Sequence, residues 1–166
     1  MIIDIEPVFN NEGLSKEFDY NIDLSAETLG ASAPFTSPVK VRGSVFNRAG
    51  IVGIDALASM VMSVCCDRCA KPVDYPFEAE VSHTLVASLN DEDNDDFILV
   101  EDVKNFDVDA LVTDDIFLSL PSKFLCSEDC RGLCPVCGAD LNEGQCSCKK
   151  EIDPRLAALT QLLDND

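Results

Sequence analysis

The sequence predicts an α+β protein: an antiparallel β-meander or half-barrel with a few helices, followed by a C-terminal Cys-rich zinc-knuckle or zinc-ribbon module and a terminal helix. Apolar and polar residues alternate through much of the first ninety positions, which is the period of half-buried strands. Six of the nine cysteines fall within residues 126–148, and a helix-start signal follows them. We therefore expect a β-rich domain over residues 1–120, with an acidic loop and a helix, and a Cys-rich module with its helix over residues 121–166.

The strands are predicted from runs of alternating or β-branched residues that are separated by turn residues. These runs are residues 1–8, 14–22, 38–46, 51–64 and 73–88. A turn is expected after the third run because Gly50 can supply positive φ there. Another turn is expected at residues 65–72. The last three of these runs are joined by short turns and form an antiparallel meander, which we expect to be a twisted sheet or small half-barrel.

The most acidic part of the chain is residues 91–115, with eleven acids and a single base. Its first six residues predict a solvated loop, and residues 97–100 predict a short strand. A helix should begin near Asp107, since acids favour a helix N-terminus, and should end before Pro121.

The predicted terminal helix covers residues 153–163. Asp153 is suited to the N-cap, and Pro154 takes the first helical position, where its missing N–H costs nothing. Leu156, Leu159 and their neighbours then give one apolar stripe, which must dock on another part of the protein.

The overall charge limits the classes of partner. The formal net charge is −19, from 31 acidic and 12 basic residues. A protein that grips nucleic-acid phosphates over a broad surface needs the opposite balance, so we expect general repulsion of nucleic acid and attraction to basic partners. The first residues do not resemble a secretory signal, and no apolar run approaches a membrane span. We therefore expect a cytoplasmic protein that uses neither a membrane nor a small-molecule substrate.

The densest cysteine cluster predicts a structural zinc site, because close thiols in a reducing compartment more often bind metal than form disulfides. Four of its six members would supply the ligands: Cys126, Cys130, Cys134, Cys137, Cys146 and Cys148. The central C-P-V-C-G can aim two sulfurs at one ion, and Zn²⁺ wants four thiolates in a tetrahedron. The second pair of ligands would be the two downstream thiols in a zinc ribbon or the two upstream thiols in a compact knuckle.

Another C-x-x-C motif, Cys66 and Cys69, lies at the predicted turn between strands. Three interpretations stay open: half of a second metal site, a redox pair that could include Cys65, or turn residues with partly buried thiols. Catalytic zinc usually has a histidine or carboxylate ligand and an open position, but the single histidine, His83, lies mid-strand and far from the cluster. We interpret the protein as non-enzymatic.

Basic residues concentrate near the cysteine cluster and form the one candidate RNA contact. They are Arg131, Lys149, Lys150 and Arg155.

These residues together resemble the YceD family of large ribosomal RNA subunit accumulation proteins. The resemblance rests on C-D-R-C at residues 66–69, on L-P leading into C-S-E-D-C-R-G-L-C-P-V-C-G-A-D-L-N from residue 120, on the later C-x-C, and on D-P-R-L-A-A-L from Asp153. It covers the chain nearly end to end and implies a cytoplasmic ribosome-biogenesis factor in a cysteine-rich variant. Because many members lack the cysteine cluster, it also implies a structural metal.

The resemblance and the charge lead to two functional hypotheses. In the first, the protein supports 23S rRNA accumulation by presenting an acidic surface, with residues 91–115 as the candidate contact, to a basic ribosomal protein or a pre-50S particle. The alternative is a zinc adaptor that binds 23S rRNA directly through the basic residues beside the cysteines.

Overall fold

The computed structural model describes residues 1–30, 32–88 and 97–148, and it confirms the predicted α+β class. The strands are β1 (Ile2–Ile3), β2 (Ser15–Ile22), β3 (Val39–Arg48), β4 (Ile51–Cys65), β5 (Pro72–Val86), β6 (Phe97–Leu99) and β7 (Phe106–Asp107). The helices are α1 (Glu6–Asn10) and α2 (Val108–Ser119).

The main sheet is a five-stranded, curled half-barrel in the order β2-β3-β4-β5-β6. Strands β3, β4 and β5 form the predicted antiparallel meander, β2 pairs with β3 in antiparallel orientation, and β6 adds to β5 in parallel. Ala49 and Gly50 connect β3 to β4 with φ angles of 53° and 83°, the two positive values of a tight hairpin turn. The next connection, at residues 66–71, carries the first C-x-x-C motif at one end of the sheet.

The core lies on one face of the sheet, where alternate side chains of β3, β4 and β5 pack with α2. The strand residues that are almost fully buried include Val41, Val45, Ile54, Met62, Val81 and Leu85. Val112 and Ile116 of α2 are also fully buried against them. On the opposite face of the sheet, Asp55, Glu78 and Glu80 are exposed.

Helix α2 follows its sequence signals closely. The Asp107 carboxylate accepts a hydrogen bond from the backbone N–H of Asp109 at 3.0 Å, which caps the helix, and Pro121 follows its end. His83 points from β5 to this helix, and its Nε2 lies 2.7 Å from the Asp115 carboxylate. The histidine therefore connects the sheet to the helix.

A buried asparagine holds the N-terminal segment to the meander. Asn47 donates from Nδ2 to the carbonyl of Val8 at 2.9 Å and accepts at Oδ1 from the N–H of Gly50 at 3.1 Å. Its side chain satisfies a carbonyl of α1 and also stabilises the β3–β4 turn.

The predicted strand over residues 1–8 is wrong beyond its start. Only Ile2 and Ile3 pair, with β7, and the chain then turns into α1. Pro7 lies in the first turn of this helix, where its fixed φ suits helical geometry. Ile5 and Val8 are both fully buried, at the three-residue spacing of one helix face. These apolar residues, which suggested a strand, therefore form the buried side of a helix.

Two predicted features, the acidic loop at residues 91–96 and the helix at residues 153–163, lie outside the described residues. Within the described ranges, neither helix has the length and apolar character that crossing a membrane requires.

Candidate metal centres

The turn that follows β4 aims two thiols at one point. The backbone N–H of Ala70 donates to the carbonyl of Cys66 at 2.8 Å, and the N–H of Cys66 donates to the carbonyl of Lys71 at 2.8 Å. Ala70 takes the left-handed conformation, with φ of 58°. These bonds close the loop, and the Cys66 and Cys69 side chains are both buried.

The segment after α2 brings two further thiols to this turn. The Sγ atoms of Cys66 and Cys130 are 3.8 Å apart, and those of Cys69 and Cys126 are 3.6 Å apart. All four Sγ atoms lie within 4.8 Å of one another. We call Cys66, Cys69, Cys126 and Cys130 the sheet cluster.

A second group of four thiols, which we call the terminal cluster, lies further along the chain. Its members are Cys134, Cys137, Cys146 and Cys148. Its first turn repeats the geometry of the sheet cluster: Gly138 donates to the carbonyl of Cys134 at 2.8 Å and has φ of 71°. The Sγ atoms of this cluster also lie within 4.8 Å of one another.

The sulfur separations match a single tetrahedral ion. Four thiolates at about 2.3 Å from Zn²⁺ lie about 3.8 Å from each other in a regular tetrahedron. The two measured separations in the sheet cluster are 3.8 Å and 3.6 Å. Each cluster could therefore hold one metal ion, and four cysteine ligands leave no position for a substrate or a reactive water.

The thiols of the sheet cluster differ in their readiness to ionise. Burial opposes ionisation of Cys66, but backbone hydrogen bonds from Cys126, Cys69 and Arg68 outweigh it and lower its pKa to about 6. A backbone hydrogen bond from Lys71 favours the Cys69 thiolate, but burial and the neighbouring thiols outweigh it and raise its pKa to about 12. Without a cation, the negative charge of one thiolate opposes the ionisation of its neighbours. A bound divalent ion offsets this repulsion and favours the thiolate form of all four cysteines.

The thiol pKa values of the terminal cluster are also shifted in opposite directions. Backbone hydrogen bonds from Cys137 and Val136 are the main reason why the pKa of Cys134 is lowered to about 6. The hydrogen bond with Cys137, followed by burial and the charges of neighbouring thiols, raises the pKa of Cys148 to about 12.

The predicted site residues are thus distributed over two clusters. The central pair, Cys134 and Cys137, lies with the two downstream thiols, which is the arrangement considered for a zinc ribbon. The upstream pair, Cys126 and Cys130, lies instead with the C-x-x-C motif of the sheet turn.

The candidate RNA contacts are only partly described. Arg131 is exposed beside the clusters. Lys149, Lys150 and Arg155 lie outside the described residues.

Three polar residues for which the sequence indicated no role surround the clusters: Arg68 binds across the sheet cluster, and Lys71 and Asn142 connect it to the loop of the terminal cluster. Arg68 donates from Nη1 to the carbonyls of Glu128 and Cys130, at 3.1 and 2.8 Å. Lys71 forms a 2.7 Å ion pair with Asp140, and Asn142 donates to the Cys130 sulfur at 3.5 Å. In the sequence, the signal for these residues is that each lies near a cysteine. Proximity in the chain does not predict which side chain contacts which thiol.

The fold and the clusters together define a class: a small α+β protein whose curled sheet carries thiol clusters able to hold metal. The family model described as "Large ribosomal RNA subunit accumulation protein YceD" matches residues 54–163, a range that includes every cysteine of both clusters. The chain belongs to the YceD family.

Relatives of this chain come from bacteria and plants. YlbN of Bacillus subtilis (strain 168) is 32% identical over 155 residues, which cover 92% of this chain and 90% of YlbN. The chloroplastic large ribosomal RNA subunit accumulation protein YCED homolog 1 of Arabidopsis thaliana is 26% identical over 71% of this chain, and its counterpart in Zea mays is 27% identical over 78%. This chain spans 46% and 55% of the length of those plant proteins. No solved structure matches the chain.

Proposed function

We propose that this protein is a non-enzymatic, cytoplasmic factor in large ribosomal subunit biogenesis that supports the accumulation of 23S rRNA. The observation that carries this proposal is the family match over residues 54–163, in a family described by large ribosomal RNA subunit accumulation. The printed names of the two plant relatives support the same role. In this proposal residues 1–120 form the β-rich domain and residues 121–166 form the Cys-rich module.

The protein acts, in this proposal, by presenting acidic surface to a basic ribosomal protein or to a pre-50S particle. Its net charge of −19 favours association with a basic partner. Several acids of the candidate contact stretch already serve the fold, since Asp102 and Asp107 accept backbone hydrogen bonds and Asp115 faces His83. Among the described acids of this stretch, Glu101 and Asp114 are exposed and form no ion pair, so both are available to meet a partner.

Structural zinc belongs to the proposal, with the terminal cluster as its site. Four thiolates complete the coordination of Zn²⁺, which suits a site that shapes the chain and does no chemistry. The bound ion would leave a charge of about −2 on the site.

The ribosomal role is tested by depleting the protein in cells and measuring 23S relative to 16S rRNA. We expect the ratio to fall, and expression of the wild-type chain from a second locus should restore it. An unchanged ratio, with the protein absent on an immunoblot, would refute the role.

The mode of action is tested by the association rate of the protein with large-subunit precursor particles from depleted cells, at low and high salt. Glu101→Gln with Asp114→Asn should slow association by about tenfold at low salt, because opposite charges steer the encounter. The control, Glu12→Gln with Glu27→Gln, makes the same change in net charge at exposed positions elsewhere.

Charge reversal by Lys149→Glu with Lys150→Glu separates the protein-partner hypothesis from the RNA adaptor. The acidic-surface hypothesis predicts little effect of this reversal. Strong loss of binding, with no effect of the acid substitutions, would refute the acidic surface and favour direct rRNA contact.

A further inference from the structure

The sheet cluster joins residues that are distant in the chain. Cys66 and Cys69 lie in the turn that follows the long hairpin strand β4, and their partners Cys126 and Cys130 arrive after α2. The pairs Cys66–Cys130 and Cys69–Cys126 are separated by 64 and 57 residues in the chain. The same joint carries other bonds, including Asp67 N–H to the carbonyl of Phe124 at 2.8 Å. Two thiols from each side of this joint converge on one point.

We propose that Cys66, Cys69, Cys126 and Cys130 form a second zinc centre, which fastens the Cys-rich segment to the end of the sheet and is coupled to the terminal cluster through Asn142. This centre is additional to the terminal zinc and does not rest on the ribosomal role. The single-ion geometry of its sulfurs is the first support. In an iron–sulfur cluster the cysteines bind different iron atoms, which sets the sulfurs on different irons far apart, whereas all four Sγ atoms here lie within 4.8 Å of one another.

The surroundings of the sheet cluster suit a negatively charged metal–thiolate group. Arg68 lies within the C-x-x-C turn and reaches across to the carbonyls of Glu128 and Cys130. It therefore places a fixed positive charge beside the site. The N–H of Leu133 donates a hydrogen bond to the carbonyl of Arg68 at 3.1 Å. The sheet turn and the Cys-rich segment therefore each donate hydrogen bonds to the other.

Asn142 is the connection between the two centres. It lies in the loop between Cys137 and Cys146 of the terminal cluster, yet its Nδ2 donates to the sulfur of Cys130 in the sheet cluster. Its Oδ1 accepts from the N–H of Arg131 at 2.7 Å, which fixes the orientation of the amide. Hydrogen bonds of this kind to a ligating atom orient the ligand and adjust metal affinity.

The ion pairs of Lys71 add to the coupling. Lys71 follows the sheet-cluster turn, and its ammonium contacts Asp140 at 2.7 Å and Glu143 at 3.0 Å in the same terminal loop. A terminal cluster that holds its metal keeps this loop in place, and the loop then supports the sheet cluster. Loading of the two centres should therefore be cooperative.

Metal counting tests the second centre. Native mass spectrometry of the full chain, purified without chelator, should show two zinc ions, and Cys66→Ser or Cys126→Ser should each leave one. Wild-type protein with one zinc would overturn the proposal whatever the variants do. Wild-type protein without zinc that loses two hydrogens under mild oxidant would overturn it in favour of a redox pair.

Zinc competition with a chromophoric chelator tests the coupling. The zinc-binding step that is missing in Cys66→Ser is the step of the sheet cluster. Asn142→Ala should lower the zinc affinity of this step by about 10-fold to 100-fold, the usual range for the loss of a hydrogen bond to a metal ligand. Gln145→Ala, an exposed position in the same loop, is the matched control and should leave both steps unchanged. In a Cys146→Ser background the sheet centre should already be weakened, and Asn142→Ala should add little. An undiminished sheet-centre affinity in both Asn142→Ala and Cys146→Ser would overturn the coupling.

Discussion

Gly132 is the point at which the Cys-rich segment crosses the sheet-cluster turn, and its replacement by alanine is expected to loosen that joint. Gly132 has φ of +73°, and an added Cβ would lie 2.8 Å from the carbonyl oxygen of Arg68. Two separate penalties therefore act at one position. One is the left-handed backbone, and the other is contact with a main-chain atom that cannot rotate away.

The expected destabilisation follows from these two penalties. A left-handed conformation costs an ordinary L-residue about 1–2 kcal/mol. Moving the chain away from Arg68 weakens the bond from Leu133 N–H, worth about 1 kcal/mol. The lower entropy of alanine in the unfolded chain offsets about 0.4–1 kcal/mol. We expect a net loss of about 2 kcal/mol, or about 4–8 °C in Tm for a protein of this size.

The assay is thermal unfolding of the full chain in excess zinc, followed by circular dichroism. Gly13→Ala is the first control, because Gly13 has φ of +79° and open space around its Cβ position. It should lose about 1 kcal/mol or less, from backbone strain alone. Gly144→Ala is the second control, because Gly144 has neither positive φ nor a close neighbour, and its Tm should be nearly unchanged.

The comparison among the three variants decides the outcome. If Gly132→Ala loses no more stability than Gly13→Ala, the close approach to Arg68 contributes nothing and the proposed contact is wrong. If Gly132→Ala and Gly13→Ala both have the Tm of the wild type, backbone strain at Gly132 and Gly13 is also refuted.

Two further predictions concern the β-rich domain. Asn47→Ala should lower the free energy of unfolding by about 2 kcal/mol, because it leaves a buried carbonyl of α1 without its donor. Urea unfolding measures this loss. The control is Asn21→Ala at an exposed position, which should cost under about 0.5 kcal/mol. A hydrogen bond from the Asn105 side chain, followed by the Lys104 backbone N–H, holds the pKa of Asp102 below its usual range. The stabilisation from Asp102 is therefore present above the unfolded-state pKa of about 3.9 and is lost as pH falls through the lower folded value. A carboxyl NMR titration should place the Asp102 midpoint below that of a model peptide and show a rise in Asn105→Ala; equal midpoints in the two proteins would contradict the assigned cause.

Local sequence was sufficient for much of the sheet. The meander, the turn at Gly50 and the helix that begins after Asp107 were predicted because each depends on neighbours a few residues away: alternation, a positive φ and a capping carboxylate. The prediction of an N-terminal strand was wrong because it also relied on a local pattern. An apolar pattern of eight residues fits a strand or a helix, and the packing of Ile5 and Val8 against the core decided between them.

The sequence by itself determined that the chain has two C-x-x-C turns and a dense group of thiols, since spacing within a turn is a local property. It did not show that the turn with Ala70 adopts the geometry of the turn with Gly138, because alanine is an unusual residue for positive φ. Only the tertiary structure decided which thiols meet. The register of β4 with β5 sets Cys66 and Cys69 at the end of the sheet, and the course of the chain after α2 brings Cys126 and Cys130 to them. Spacing along 126–148 cannot encode this grouping, because half of the sheet cluster lies some sixty residues earlier in the chain, in the turn between β4 and β5.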